Sequence, residues 1–194
     1  MISPAQRTLA LALLLGALSV VAYAPFDLFP LLWVTLGGLF LLFERADGAW
    51  AGARLGAAFG LGFFLAGVSW VYVSLHTFGG MAPPLAALAT FLFCALLSLY
   101  PALAGFFYLH LSPPPGWRRI GLFAALWMLG EWLRGWILTG FPWLATGYAQ
   151  TPPSPLAGYT PVLGVYGVSL LTAFLAALLA TLTVEFVHRR HRQS

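Results

Sequence analysis

The stretch LGEWLRGWILTGFPW, residues 129–143, places two charges inside an otherwise apolar run and then becomes a segment rich in Gly, Pro and Trp. The charges are Glu131 and Arg134, which are three residues apart and therefore share one face of a helix. A charge at the centre of a membrane helix costs roughly 2.5–3.5 kcal/mol on insertion scales, so two such residues need a physical reason. At this spacing the two side chains can neutralise each other as an ion pair.

The composition of the whole chain indicates that its natural solvent is lipid. Of the 194 residues, 61% are hydrophobic and 7% are charged, whereas soluble domains carry about 25% charged residues. Helices satisfy their own backbone hydrogen bonds in lipid, and the apolar runs here are continuous rather than alternating. We therefore expect an all-α fold, a polytopic transmembrane bundle of about six helices that forms one transmembrane domain over residues 1–194.

The apolar runs predict six membrane spans joined by short loops. These spans are residues 8–24, 31–43, 55–75, 85–111, 120–138 and 162–187. Pro101 predicts a kink in the fourth span. Glycines in the third span, among them Gly56 and Gly62, predict close packing against neighbouring helices.

The basic residues predict the orientation of the bundle. All nine are Arg, and eight of them fall on one side if the chain crosses six times. These eight are Arg7, Arg45, Arg54, Arg118, Arg119, Arg189, Arg190 and Arg192. The positive-inside rule then places both termini in the cytoplasm, and the net charge of +4 does not indicate a nucleic-acid partner.

Several unusual side chains are expected near the outer ends of spans three and five. Glu131 and Arg134 have two interpretations, a polar site that handles a lipid head group or orders a loop, and a structural ion pair. The aromatic residues here are also typical of an interfacial belt, and a lone loop histidine such as His76 is commonly only solvated. No cofactor is predicted. No metal site is predicted either, because His188 and His191 have no adjacent carboxylate or Cys.

Four motifs in the same order resemble the N-terminal membrane region of the bacterial apolipoprotein N-acyltransferases. They are residues 24–30, 67–81, 131–143 and 161–169, and they are spread over most of the chain. The resemblance implies a multi-pass protein of the bacterial inner membrane. It also implies transfer of an acyl chain from a phospholipid such as phosphatidylethanolamine, through a cysteine thioester, to the N-terminal amine of a diacylglyceryl lipoprotein.

The resemblance does not extend to catalytic residues. The family carries a Glu-Lys-Cys triad in a nitrilase-like domain that these 194 residues do not include. They contain no Lys, so we assign no catalytic residue and expect this chain alone to be inactive. The residues that match family motifs are instead expected to shape a lipid entry site or to brace the catalytic domain. They are Trp70, Tyr72, His76, Gly79, Gly80, Glu131, Arg134 and Trp143.

Three hypotheses for the whole function remain at this point. The first is a piece of an acyltransferase, and the second is a stand-alone lipid-binding or scaffold protein of the membrane. The third, a transporter or flippase, has less support because the spans show no inverted repeat of the kind common in transporters.

Overall fold

The protein is a bundle of α-helices, with no β-strand among residues 3–152 and 154–193, which the structure, a computed structural model, describes. The helices are α1 (Pro4–Ser19), α2 (Phe29–Glu44), α3 (Ala49–Gly67), α4 (Trp70–Val73), α5 (Pro83–Leu97), α6 (Leu99–Leu111), α7 (Trp117–Arg134) and α8 (Thr160–Gln193). The predicted all-helical membrane bundle is confirmed. The prediction of one domain over residues 1–194 includes Met1, Ile2, Pro153 and Ser194, which lie outside the described residues.

Four helical segments are long and apolar enough to cross a membrane. They are Pro4–Ala22, Ala49–Gly67, Pro83–Leu111 and Pro155–Arg190. Helix α2 is apolar but shorter, and α7 carries four charged residues. The number of crossings therefore stays a prediction, although a helix lies at each of the six predicted spans.

Three of the predicted spans have interruptions in the structure. The third, residues 55–75, is divided because α3 ends at Gly67 and is followed by α4 and a π-helical turn, Ser74–Phe78. The fourth breaks at Ser98, between α5 and α6. Pro101 explains this break, since its ring clashes with the carbonyl four residues earlier and it has no N–H to donate. Helix α8 is interrupted at Gly164, whose φ is 63°.

Helix α3 packs closely between α1 and α6 because glycines face the neighbouring backbones. Gly62 lies against the carbonyl of Leu13 in α1, and Gly56 lies against the carbonyl of Pro101 in α6. A Cβ atom at either position would overlap those carbonyl groups. The close packing predicted from the glycines of the third span is confirmed.

The bundle has two ends with different chemistry. The Glu44 end consists of residues 44–49 and 111–119, where Glu44 and Arg119 meet. The Trp143 end consists of residues 20–28, 68–82, 135–152 and 154–160, where Trp70 and Trp143 pack with ring centroids 5.4 Å apart. Most of the predicted site residues lie at the Trp143 end or in the last turn of α7, directly beneath it.

Candidate functional site

The segment that follows α7, residues 135–150, has an irregular backbone. Leu138, Thr139 and Leu144 have φ values of 54°, 73° and 59°, in a region that side chains other than glycine rarely adopt. Such a conformation persists only where the surroundings impose it. We call residues 135–150 the anchored loop, because buried side chains bind its backbone at several points.

Arg134 binds two carbonyl groups of the anchored loop. Its side chain is only 2% exposed, and Nη1 donates to the carbonyl oxygen of Phe141 at 2.7 Å and also to that of Trp143. The Arg134 carbonyl accepts the Phe141 N–H in return at 2.8 Å. The guanidinium carbon lies 5.1 Å from the ring centroid of Phe64 in α3, within the range of a cation–π contact. Arg134 thereby ties the loop to the end of α7.

Glu131 binds the same loop further along. It is 5% exposed, and its Oε1 accepts from the backbone N–H of Thr146 at 2.9 Å and from Nε1 of Trp127 at 3.0 Å. Its second oxygen, Oε2, is buried and has no hydrogen-bond partner among the described residues. The carboxylate therefore holds the loop with one oxygen and retains the other as a free acceptor.

The predicted ion pair between Glu131 and Arg134 is wrong. Among the described residues, the one salt bridge with N···O of 4.0 Å or less joins Arg119 and Glu44. The physical reason is that an anion and a cation can each be satisfied by backbone dipoles, an N–H for the carboxylate and carbonyls for the guanidinium. The anchored loop offers both kinds of group, so the two side chains bind the loop instead of each other.

Two further residues that the sequence did not single out hold the same loop. The Tyr23 hydroxyl donates to the carbonyl of Leu144 at 3.0 Å, and Leu144 is one of the loop residues with positive φ. The N–H of Gly147 donates to Oγ of Ser169 in α8 at 2.9 Å. Ser169 closes the last family motif, and Tyr23 directly precedes the first. Their location in or beside the family motifs was the only sequence feature that could have marked Tyr23 and Ser169. An isolated Tyr or Ser in an apolar run has no pattern that predicts its hydrogen-bond partner.

The structure brings half of the predicted site residues together. Trp143 lies in the anchored loop and packs against Trp70, while Gly67 in α3 lies against the Leu144 side chain. Glu131, Arg134, Trp70 and Trp143 thus form one connected group, in which the charges hold the loop and the indoles cover its surface.

The other predicted residues are Tyr72 in α4, His76 in the π-helical turn, and Gly79 and Gly80 in the bend after it. Nδ1 of His76 lies 2.9 Å from the carbonyl oxygen of Met81, and its ring lies 5.6 Å from that of Tyr72. Gly79 and Gly80 follow, with Gly80 at φ 68° and open space around it. These contacts are local, so this second group shapes the bend from residue 74 to residue 81.

The chemistry of this arrangement is that of binding and positioning. The described residues include no cluster of three His, Cys, Asp or Glu side chains that would hold a metal ion. Cys94 is a free thiol that is fully buried within α5. What the site offers is a fixed loop with exposed aromatic side chains, Trp143 at 51% and Tyr148 at 52% exposure.

Comparison with known proteins agrees with the four motifs. The family described as the apolipoprotein N-acyltransferase N-terminal domain matches residues 15–178. An apolipoprotein N-acyltransferase of Nitrosomonas europaea is 52% identical over 169 residues, which are 87% of this chain and 34% of that protein. Those of Coxiella burnetii and Methylococcus capsulatus are 42% and 43% identical over 90% and 97% of this chain, and 36% and 37% of their own lengths.

The chain thus spans about a third of the length of these curated relatives. The family match runs from the last turns of α1 into α8 and includes the whole anchored loop. The resemblance inferred from the motifs is confirmed, and this chain belongs to the apolipoprotein N-acyltransferase N-terminal domain family.

Proposed function

We propose that this chain acts as the membrane region of an apolipoprotein N-acyltransferase. The enzyme would transfer an acyl chain from a phospholipid, phosphatidylethanolamine or a similar donor, to the N-terminal amine of a diacylglyceryl lipoprotein. Family membership and the activity for which the relatives are named support this proposal. The bonds would be made and broken by residues outside this chain, since it contains no Lys for a Glu-Lys-Cys triad.

The contribution of the chain itself would be a fixed surface on which lipid or lipoprotein binds. The observation that carries this proposal is that Glu131 and Arg134, both buried, bind three backbone groups of one loop. Buried charges in a membrane helix are costly, and here they hold a loop whose aromatic side chains remain exposed. A preorganised loop loses less conformational freedom when it binds a ligand, and this favours affinity.

The remaining predicted residues would take part in the same surface. Trp70 supports Trp143 from α4, and Tyr72 and His76 shape the bend that contains Gly79 and Gly80. In this proposal they line the lipid entry site or brace the catalytic domain, as the family motifs imply.

We further propose that the protein lies in the bacterial inner membrane with both termini in the cytoplasm. The Trp143 end would then face outward. The eight arginines that six crossings place on the opposite side support this orientation. The Trp143 end carries few charged residues. This is consistent with an outward-facing end, because basic residues are concentrated on the cytoplasmic side of a membrane protein.

The proposal is tested with a chimera. Residues 15–178 of this chain replace the matching region of the Nitrosomonas europaea relative, and the chimera is produced in a strain whose own N-acyltransferase is depleted. We expect mass spectrometry of a reporter lipoprotein to show an N-terminal cysteine with three acyl chains. A matched chimera that carries Arg134→Ala should give mostly the two-chain form, while one that carries Arg118→Ala, an exposed arginine of α7, should behave like the parent.

Two outcomes would contradict the proposal. One is a folded, membrane-inserted chimera that leaves the lipoprotein amine free. The other is an Arg134→Ala chimera that is fully active, which would remove the anchored loop from the function. Folding is checked independently by gel filtration and thermal unfolding in detergent.

One observation favours the second candidate, a lipid-binding or scaffold protein. An apolar groove of about 630 Å³ runs between α1, α2 and α8, lined by residues such as Leu15, Trp33, Gly38 and Ala180. A groove of this size and character accommodates an acyl chain. A chimera that folds and retains bound phospholipid, but transfers no acyl chain, would favour this candidate.

A further inference from the structure

A pocket opens at the Trp143 end between the turn after α1 and the anchored loop. Its volume is about 510 Å³, in the range of small-molecule sites. The side of the turn contributes Tyr23 and Asp27, and the side of the loop contributes Trp143, Tyr148 and Thr151. Arg134 and Tyr23 fix one wall of this pocket, because they donate hydrogen bonds to the carbonyl oxygens of Trp143 and Leu144, respectively.

Asp27 gives this pocket its charge. It is exposed, and the described residues place no cation within salt-bridge distance of its carboxylate. The segments of the Trp143 end, residues 20–28, 68–82, 135–152 and 154–160, contain no other Asp, Glu, Lys or Arg. The two charges nearest in sequence to the loop, Glu131 and Arg134, are buried and bound to its backbone. Asp27 is thus an uncompensated negative charge on an otherwise uncharged surface.

An unpaired carboxylate among aromatic side chains is suited to a cation. Aromatic rings attract ammonium groups through their negative faces, with Trp the strongest, and three of the residues that line this pocket are aromatic. A carboxylate adds hydrogen bonds to any N–H that the cation carries, and these bonds are shorter and stronger than neutral ones. The combination favours a primary ammonium, which has three N–H donors, over a quaternary ammonium, which has none.

We propose that this pocket binds a primary ammonium group, with Asp27 as the anion and Trp143 and Tyr148 as its aromatic walls. The inference rests on the proposed function, because it names the chemistry that the surface at this end would recognise. A primary ammonium could come from two sources there, the ethanolamine head group of a donor phospholipid and the N-terminal amine of a diacylglyceryl-cysteine peptide. Asp27 acts in binding only, and no bond is made or broken at this pocket.

Binding of defined ligands to the purified chain tests the proposal. The chain is reconstituted in nanodiscs of phosphatidylcholine and titrated with radiolabelled dihexanoyl phosphatidylethanolamine. Dihexanoyl phosphatidylglycerol, which has no ammonium, serves for comparison. We expect the ethanolamine lipid to bind more tightly, and Asp27→Asn to weaken its binding about 5- to 10-fold without weakening that of the anionic glycerol lipid. Asn suits the backbone, since Asp27 has φ 53° and Asn tolerates that region as Asp does.

The matched control is Asp47→Asn. Asp47 is exposed at the Glu44 end, so this substitution makes the same change of net charge far from the pocket. It should leave both lipids unaffected. A second arm uses a diacylglyceryl-cysteine peptide with a free or an acetylated N-terminal amine. If only the free amine loses affinity in Asp27→Asn, the pocket serves the acceptor; if only the ethanolamine lipid does, it serves the donor.

The proposal is overturned if Asp27→Asn changes neither the ethanolamine lipid nor the free-amine peptide. It is also overturned if Asp47→Asn weakens them equally, because the effect would then be one of net charge. Either result leaves the chimera experiment untouched, since acyl transfer by the chimera does not depend on where the ammonium group binds. Failure of this inference is therefore distinguishable from failure of the proposed function.

Discussion

Glu44 and Arg119 at the Glu44 end, and Glu131 and Arg134 in the last turn of α7 beneath the Trp143 end, interact with their surroundings in opposite ways. At the Glu44 end, Nη1 of Arg119 lies 2.9 Å from Oε1 of Glu44, across 75 residues of sequence. Beneath the Trp143 end, Glu131 and Arg134 are three residues apart in the last turn of α7 and form no salt bridge. Proximity in the sequence therefore does not decide which charges pair.

Water and backbone geometry explain the difference. The Arg119 and Glu44 side chains are 21% and 26% exposed, so each gains a direct partner while it remains partly hydrated. Glu131 and Arg134 are almost fully buried, so their hydrogen-bond partners have to come mainly from the protein. The anchored loop supplies an N–H at Thr146 and carbonyls at Phe141 and Trp143. The first pair joins two helices, whereas the second orders a loop.

The largest effect is expected for Arg134→Ala. The substitution removes two charge-assisted hydrogen bonds to partly buried loop carbonyls. We expect the free energy of unfolding to fall by about 3 kcal/mol, since hydrogen bonds to charged groups contribute about 1.5–3 kcal/mol each. Unfolding in mixed micelles of increasing SDS content measures it. Arg118→Ala is the control and should shift the curve by less than about 0.5 kcal/mol, as surface substitutions do.

A loop that is released should also become accessible. With Arg134→Ala we expect cleavage by a non-specific protease within residues 135–150, under conditions in which the parent chain is intact. If the variant is as stable and as protease-resistant as the parent, the backbone bonds of Arg134 do not hold the loop.

An intermediate effect is expected at Glu131, where two substitutions separate hydrogen bonding from charge. Glu131→Ala leaves the N–H of Thr146 and Nε1 of Trp127 buried without an acceptor, at a cost of about 2 kcal/mol. Glu131→Gln keeps a carbonyl oxygen that accepts from both groups, so we expect it to cost less than about 1 kcal/mol. The same SDS unfolding series measures both variants.

The ratio of these two effects distinguishes the interpretations of Glu131. If Gln is as destabilising as Ala, the negative charge itself is required, and an electrostatic interaction with Arg134 outweighs the bonds to the loop. If Gln is close to the parent, Glu131 acts as a hydrogen-bond acceptor, as its contacts with Trp127 and Thr146 indicate.

The smallest effect is expected at the Glu44 end, and it should depend on salt. A double-mutant cycle with Glu44→Gln and Arg119→Gln should give a coupling energy of about 1 kcal/mol or less, because the pair is partly exposed. The coupling should fall as NaCl is raised from 0.05 to about 0.5 M, since salt screens exposed charges. The cycle with Glu131→Gln and Arg134→Gln should show no such dependence. A salt-dependent coupling between Glu131 and Arg134 would contradict this expectation, because it would mean that the two charges interact through solvent.

The helices and their packing were largely predictable from the sequence. Long apolar runs predicted the helical bundle, because only internally hydrogen-bonded segments are stable in lipid. Gly56 and Gly62 predicted close helix contacts, because a residue without a Cβ lets any neighbouring helix approach its backbone closely. Pro101 predicted a kink in the fourth span for the same local reason, and the helix is interrupted at Ser98, three residues before it.

The partners of the buried polar groups were not predictable in this way. The i, i+3 spacing of Glu131 and Arg134 suggested an ion pair, and the structure contradicts it. Nothing in the sequence signals that Tyr23 binds the carbonyl of Leu144 across 121 residues, or that Ser169 accepts from Gly147. A hydrogen bond of this kind depends on where a distant backbone group lies, and no local pattern encodes that position.

The sequence by itself determined that this chain is a helical membrane protein of the N-acyltransferase N-terminal family, because hydrophobicity, small residues and motifs are properties of the residues themselves. Only the tertiary structure decided what the charges do. Two segments distant in sequence meet at one end of the bundle: the turn after α1, and the end of α7 together with residues 135–150, which follow it directly. In this arrangement Glu131 and Arg134 bind a loop, and a pocket that includes Asp27 is formed. Contacts of this kind depend on how the helices pack, because they join residues that are distant in sequence.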